Sequence, residues 1–248
     1  MKYIKVSGRL CLMVLSFVFM FVYSQAYAGR GYFFNNETGK NSNDGTRMHP
    51  FKDLSLIEQL KLNPGDSILL AVGNIFFGSM KLSNKEGSIE SPIYIGTYTS
   101  QGTISRSQPA VIDARSQYAG IYLLNCKHIK VENLAIQANA GGMSEMLERK
   151  DDMRCGVLVS TNKSGTYGYI KLINLVVKDV FYEEPGFKRN KNEVKTPNGT
   201  EKYGWGIRFI NNTENAVLKE LIVQNCSISN VAHTGIKYTG KVKSIRDI

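Results

Sequence analysis

From residue 67 onward, apolar and polar side chains alternate in short runs broken by Gly, Ser and Asn, the pattern of half-buried strands. Three of these runs are copies of one another: Ile129-Lys-Val-Glu-Asn-Leu-Ala-Ile136, Ile170-Lys-Leu-Ile-Asn-Leu-Val-Val177 and Leu221-Ile-Val-Gln-Asn-Cys-Ser-Ile228. A second repeat, Gly-Ile/Val-x followed by an apolar residue, precedes each copy and recurs after the last, starting at Gly120, Gly156, Gly206 and Gly235. Such self-similarity predicts a stacked solenoid, in which no repeat can bury its apolar face alone. Alternation along the strand turns Ile121 and Leu123, Val157 and Val159, Ile207 and Phe209, and Ile236 and Tyr238 inward. The position between each pair turns outward and, stacked coil on coil, reads Tyr122, Leu158, Arg208, Lys237. Asn133, Asn174 and Asn225 are expected to form a structural ladder inside the following turn, bonded to one another and to backbone. Because the Gly starts are unequally spaced, two long insertions, over 138–154 and 178–203, fall at one corner, the usual place for function in a solenoid.

The first 66 residues read differently. Lys2, Lys5 and Arg9 precede a nearly unbroken apolar run over 10–22 and a small-x-small site at Ala26-Tyr-Ala28, the layout of a signal peptide over 1–28. The run is short for a membrane span. An exported, periplasmic or extracellular protein with no membrane span after cleavage is expected. Residues 29–66 predict an N-terminal strand at Tyr32-Phe-Phe34 and a cap helix over 50–62, with Phe51, Leu54, Ile57 and Leu60 on its buried face. The turn Asn63-Pro-Gly-Asp66 ends that helix, and residues 67–248 supply the coils. Single strands are expected over 68–72, 76–82, 92–95 and 110–112. Residues 242–248 align with the start of a further repeat, so the coil series is expected to be incomplete, as in a fragment of a longer protein.

Ser42-Asn-Asp-Gly-Thr46, His49-Pro-Phe51, Asn63-Pro-Gly-Asp66 and Ser91-Pro-Ile-Tyr-Ile95, taken with the repeats, resemble the N-terminal part of exported proteins of the pectin-lyase-like superfamily and the family 9 polysaccharide lyases. The resemblance implies an all-β, right-handed parallel β-helix with an N-terminal capping helix. It also implies that the Gly-Ile-x-Leu strands and the adjoining loops line a substrate cleft. The Gly-His-Gly and paired-Asp pattern of polygalacturonases is absent, as is the Trp-x-Asp-His pattern of classical pectate lyases, which argues against a pectin-specific assignment.

Composition sharpens the chemistry. The chain carries a net charge of +10, of which the leader's Lys2, Lys5 and Arg9 account for three. For an exported protein this excess favours an acidic polysaccharide as partner over nucleic acid. Arg208 and Lys237 would then be adjacent cations on the cleft floor. Elimination from a uronic-acid polymer needs its carboxylate neutralised, a task that suits Arg. It also needs a base, and Lys serves as one where a close like charge lowers its pKa. His233 is a further acid–base candidate. Tyr122, Trp205, Tyr182, Lys188 and Arg189 are the substrate-binding candidates. Asp151 and Asp152 occupy a place similar to the Ca²⁺-ligating stretches of pectate lyases, and hard carboxylate oxygens suit that ion. Two other readings stand beside the lyase. One is a glycoside hydrolase using loop carboxylates such as Asp152 with Glu184. The other is a non-catalytic carbohydrate-binding or surface protein, or an inactive fragment. Three cysteines remain after the leader, an odd number, with a Cys126–Cys155 bridge left open.

Overall fold

A computed structural model describes residues 29–100, 108–115, 117–139, 153–181, 203–211, 213–240 and 245–246. The leader and most of both long insertions lie outside these residues. After β1 (Gly31–Phe34) and a short 3₁₀ helix (Leu54–Gln59), the chain winds through five coils of three strands each. They are β2 (Ser67–Ala71), β3 (Ile75–Phe77) and β4 (Met80–Ser83); β5 (Ile93–Tyr98), β6 (Ala110–Asp113) and β7 (Ala119–Leu124); β8 (Lys127–Glu132), β9 (Leu134–Asn139) and β10 (Met153–Thr161); β11 (Gly165–Ile173), β12 (Val176–Phe181) and β13 (Tyr203–Asn211); β14 (Ala216–Gln224), β15 (Ser227–Val231) and β16 (Thr234–Thr239). A short β17 (Ile245–Arg246) pairs with β14.

Strands stack in three parallel sheets, ordered β1-β2-β5-β8-β11-β14-β17, β3-β6-β9-β12-β15 and β4-β7-β10-β13-β16. This is a right-handed parallel β-helix. One continuous core fills the tube, from Phe34, Leu54 and Ile57 at the N-terminal end through Ile121, Val157 and Ile207. Ile236, whose position turns inward in earlier coils, is 49% exposed in the last one, and Tyr238 is half-buried.

The Gly that opens each repeat is explained by packing. A Cβ at Gly120, Gly156 or Gly206 would lie 2.3–2.4 Å from a methyl of Ile136, Val177 or Ile228, and 2.6–2.9 Å from the carbonyl oxygen of the equivalent Gly in the next coil. These glycines therefore face inward at a corner too tight for any side chain. The paired strands are buried on both faces in β10, where every residue from Met153 to Thr161 is covered.

Three local expectations change. The apolar spacing of three at Phe51, Leu54, Ile57 and Leu60 builds one short 3₁₀ segment, whose period of 3.0 matches that spacing better than an α-helix does. Its Leu54 and Ile57 are buried in the core. The run over 76–82 divides into β3 and β4 at Gly78, whose φ of +102° turns the chain. Asn133, Asn174 and Asn225 do stand in register, and Asn174 donates to Asn133 Oδ1 at 3.2 Å, but all three are exposed. Their φ values of 52–60° give the reason: Asn tolerates the left-handed turn better than other non-Gly residues. The more buried amide ladder lies at the previous corner. There Asn125 donates to Asn84 (3.3 Å) and to Asn162 (2.8 Å).

The N-terminal motifs also acquire a structural reason. Asp44 Oδ1 accepts from the Thr46 amide (3.0 Å) and hydroxyl (2.9 Å), and the amide bond chiefly holds the Asp44 carboxyl below its usual range. Gly45, at φ +75°, lies under the Phe51 ring, where a Cβ would come within 2.2 Å. Phe51 in turn packs on Phe34, with ring centroids 5.4 Å apart. Asp66, nearly fully buried, accepts from the amides of Arg30 (2.7 Å) and Asn63 (2.8 Å), closing the cap onto the first coil.

The corner glycines give a contrast that denaturation can measure. Gly156→Ala is expected to destabilise the fold by about 2 kcal/mol, the usual scale of core overpacking. Gly235→Ala, whose nearest contact would be Ile228 at 3.7 Å, is expected to change stability little. Equal effects from the two substitutions would refute the close-approach explanation.

Candidate active site

On the outer face of the β4-β7-β10-β13-β16 sheet, hydrogen-bond register sets Lys81, Tyr122, Leu158, Arg208 and Lys237 in one row. Neighbouring members belong to successive coils, about 4.8 Å apart in backbone. Sequence alternation places this row correctly. It does not reveal that the middle of the row is covered: Leu158 is 1% exposed and belongs to a second apolar cluster, with Ala119, Met153, Cys155, Trp205 and Ile210.

Trp205 organises the charged end of the row. It pairs with Cys155 on one side and Thr234 on the other, and is 2% exposed. The Arg208 guanidinium lies 3.7 Å from the Trp205 ring centroid, and the Lys237 ammonium 5.8 Å from it. Both distances fall within cation–π range. His233 packs its ring 5.6 Å from the same indole, and its backbone amide donates to Gly204 at 2.9 Å. The His233 Nδ1 also meets the Thr234 hydroxyl. Arg208 Nη1 reaches Met153 Sδ at 2.7 Å, which fixes the guanidinium from a second direction.

Four of the residues singled out from sequence, Trp205, Arg208, His233 and Lys237, thus converge around one indole. Tyr122 lies two coils away along the row; its hydroxyl accepts from Ser160 Oγ at 3.3 Å, and its ring is 6.0 Å from Tyr118. Tyr182, Lys188, Arg189, Asp151 and Asp152 lie outside the described residues, as does Glu184. Among the described residues no three His, Cys, Asp or Glu side chains converge as a cation cage requires.

Sequence reasoning missed Met153 and Arg154. Arg154 is wholly buried at the entry to β10, and its Nη1 donates to the Met153 carbonyl at 2.8 Å. Its signal was positional: Arg154-Cys155 precede Gly156 as Gly204-Trp205 precede Gly206, and register aligns them.

Cys126, Cys155 and Cys226, the cysteines among the described residues, are free. Cys126 faces the core, and Cys155 lies in the cluster outside the sheet, so the two do not form a bridge. Burial pushes the Cys126 thiol up to about 11 and the Cys155 thiol up to about 12.

No family model matches the chain, and no curated protein matches it. Among solved structures it is similar to native GH136 lacto-N-biosidase from Eubacterium ramulus, with 25% identity and a TM-score of 0.65 over 85% of this chain and 36% of that one. The selenomethionine derivative of that protein gives 24% identity and a TM-score of 0.63 over 90% and 38%. A rhamnogalacturonan lyase matches at 15% identity with a TM-score of 0.44, over 86% of this chain and 62% of that one. The chain therefore spans little more than a third of the length of the lacto-N-biosidase structures. Its class is the right-handed parallel β-helix. Its structural neighbours on that fold include both a glycoside hydrolase and polysaccharide lyases.

Burial of the thiols yields a pH prediction. An unfolded thiol ionises near pH 8.5, about 8.5 being the free-Cys value, whereas the folded one keeps its proton. The unfolded chain then holds fewer protons, so each buried thiol removes stability as pH rises, by up to about 1.4 kcal/mol per pH unit. Urea denaturation between roughly pH 8 and pH 10.5 is expected to show a shallower alkaline decline in Cys155→Ala than in the parent protein. Parallel curves would show that Cys155 is not held protonated by its surroundings.

Proposed function

We propose that this is an exported carbohydrate-active protein that cleaves an acidic, uronic-acid-containing polysaccharide by β-elimination. The observation that carries the reading is the meeting of Arg208, Lys237 and His233 around Trp205. Two adjacent cations held against one indole make a preformed seat for a carboxylate, with little conformational freedom left to lose on binding. In this scheme the Arg208 guanidinium neutralises the uronate carboxylate, which acidifies the C–H beside it. Lys237 removes that proton, the electron pair forms a C=C bond, and the glycosidic C–O bond on the adjacent carbon breaks. His233 returns a proton to the departing oxygen. Trp205 holds both cations in place. Tyr122 and the loop residues Tyr182, Lys188 and Arg189 extend the contact to neighbouring sugars. Asp151 and Asp152 would supply hard carboxylate oxygens to a Ca²⁺ ion, whose charge would favour an acidic substrate.

A second reading is a glycoside hydrolase. It is favoured by the likeness to the lacto-N-biosidase from Eubacterium ramulus at 25% identity and a TM-score of 0.65. It would draw its carboxylates from the loops, such as Asp152 with Glu184.

Incubation with polygalacturonate or alginate separates these readings. Elimination is expected to generate unsaturated ends that absorb in the ultraviolet, and Lys237→Ala to lower that rate by about 10²- to 10⁴-fold, the usual cost of losing a general base. Reducing ends without ultraviolet absorbance would select the hydrolase. Binding without either product would leave a carbohydrate-binding protein.

A further inference from the structure

The first sheet carries a groove of about 450 Å³ on its outer face, on a different side of the helix from Arg208. Three residues in successive coils, His128, Tyr169 and Glu220, line it in register. All three hold left-handed backbone, with φ values of 51°, 55° and 51°. Most other non-Gly residues with such φ in the described chain are Asn or Asp, which adopt it most readily. Large side chains thus stand in three successive coils at positions where Asn or Gly would cost less. Backbone strain of this kind clusters at functional sites, ligand clamps among them.

The side chains form a built surface. The His128 and Tyr169 rings stack, centroids 4.3 Å apart and planes 21° from parallel, and the Lys219 ammonium lies 5.1 Å from the Tyr169 ring. Desolvation, followed by the nearby Lys127 charge, lowers the His128 pKa from its ordinary value. Beside this ladder runs a second outward row, Tyr94, Lys130, Lys171 and Ile222. Lys130 is engaged by Glu132 at 2.7 Å. Lys171, which also lines the groove, is exposed and has no ion pair among the described residues. Ile89 and Ile222, both exposed, give the groove an apolar wall and floor.

We propose that this groove is a second saccharide-binding site, in which Lys171 pairs with the carboxylate of a uronic-acid residue. The apolar C–H face of the sugar would lie on Ile222 and Ile89, and Glu220 and Ser88 would bond its hydroxyls. A pyranose fits because it is apolar on one face and polar at its rim, and the groove sets apolar Ile89 and Ile222 beside polar and charged Ser88, Lys171 and Glu220. Its volume falls in the range of small-ligand sites. The choice of an acidic ligand rests on the acidic-polysaccharide reading above, but the groove does not depend on the chemistry at Lys237.

The test titrates the whole protein with a size-defined oligogalacturonate by calorimetry, with maltohexaose as the uncharged control. In the Arg208→Ala/Lys237→Ala background one binding event is expected to remain. Adding Lys171→Ala is expected to weaken it roughly tenfold or more, with maltohexaose binding weakly throughout. Lys171→Ala alone is expected to leave cleavage intact, and circular dichroism checks that each variant folds. No binding in the double variant, no change on adding Lys171→Ala, or equal binding of maltohexaose would each overturn the proposal. Binding at Lys171 with no cleavage by the parent protein would sink only the lyase reading.

Discussion

The close approach of successive coils at the glycine corner is the constraint on which the rest of the structure depends. Gly120, Gly156 and Gly206 each turn inward onto a methyl of the neighbouring sheet and lie beneath the next coil's carbonyl. A side chain there would push the coils apart and break the parallel hydrogen bonding that locks their register. With register fixed, each outward position is bound to stand above its counterpart. A row of functional side chains then follows from one repeat, because the backbone ladder, rather than any contact between the side chains themselves, holds them adjacent.

That constraint explains why so much of the architecture was legible. A repeat with strand periodicity specifies the three sheets, the inward pairs at Ile121 and Leu123, and the outward row that ends in Arg208 and Lys237. Where the reading failed, a local backbone preference had been mistaken for a packing demand. The repeated Asn looked like a buried amide ladder, yet its position selects for tolerance of a left-handed turn, and the amides are exposed. The cap was read as a longer helix because apolar spacing of three suits either helical form over so short a run.

The site was legible only in part, for a different reason. Alternation locates Arg208 and Lys237, but it says nothing of what covers a sheet from outside. Trp205 is drawn into a cluster with Met153, Cys155 and Leu158, a layer of packing beyond the tube that no strand period encodes. Its indole thereby becomes the platform for both cations. The His128–Tyr169 stack was invisible for a related reason. The sequence shows two unremarkable residues, each just before a copy of the repeat, and only register places them face to face.

The most direct test of the account is the structure of the Lys237→Ala protein crystallised with a short oligouronate of the kind the parent protein cleaves. The uronate carboxylate should sit within hydrogen-bond distance of the Arg208 guanidinium, with its ring directed toward position 237 and Trp205 unmoved. A saccharide bound away from Arg208, or an Arg208 that has left the Trp205 face to reach it, would contradict the claim that stacked coils present a preformed carboxylate seat.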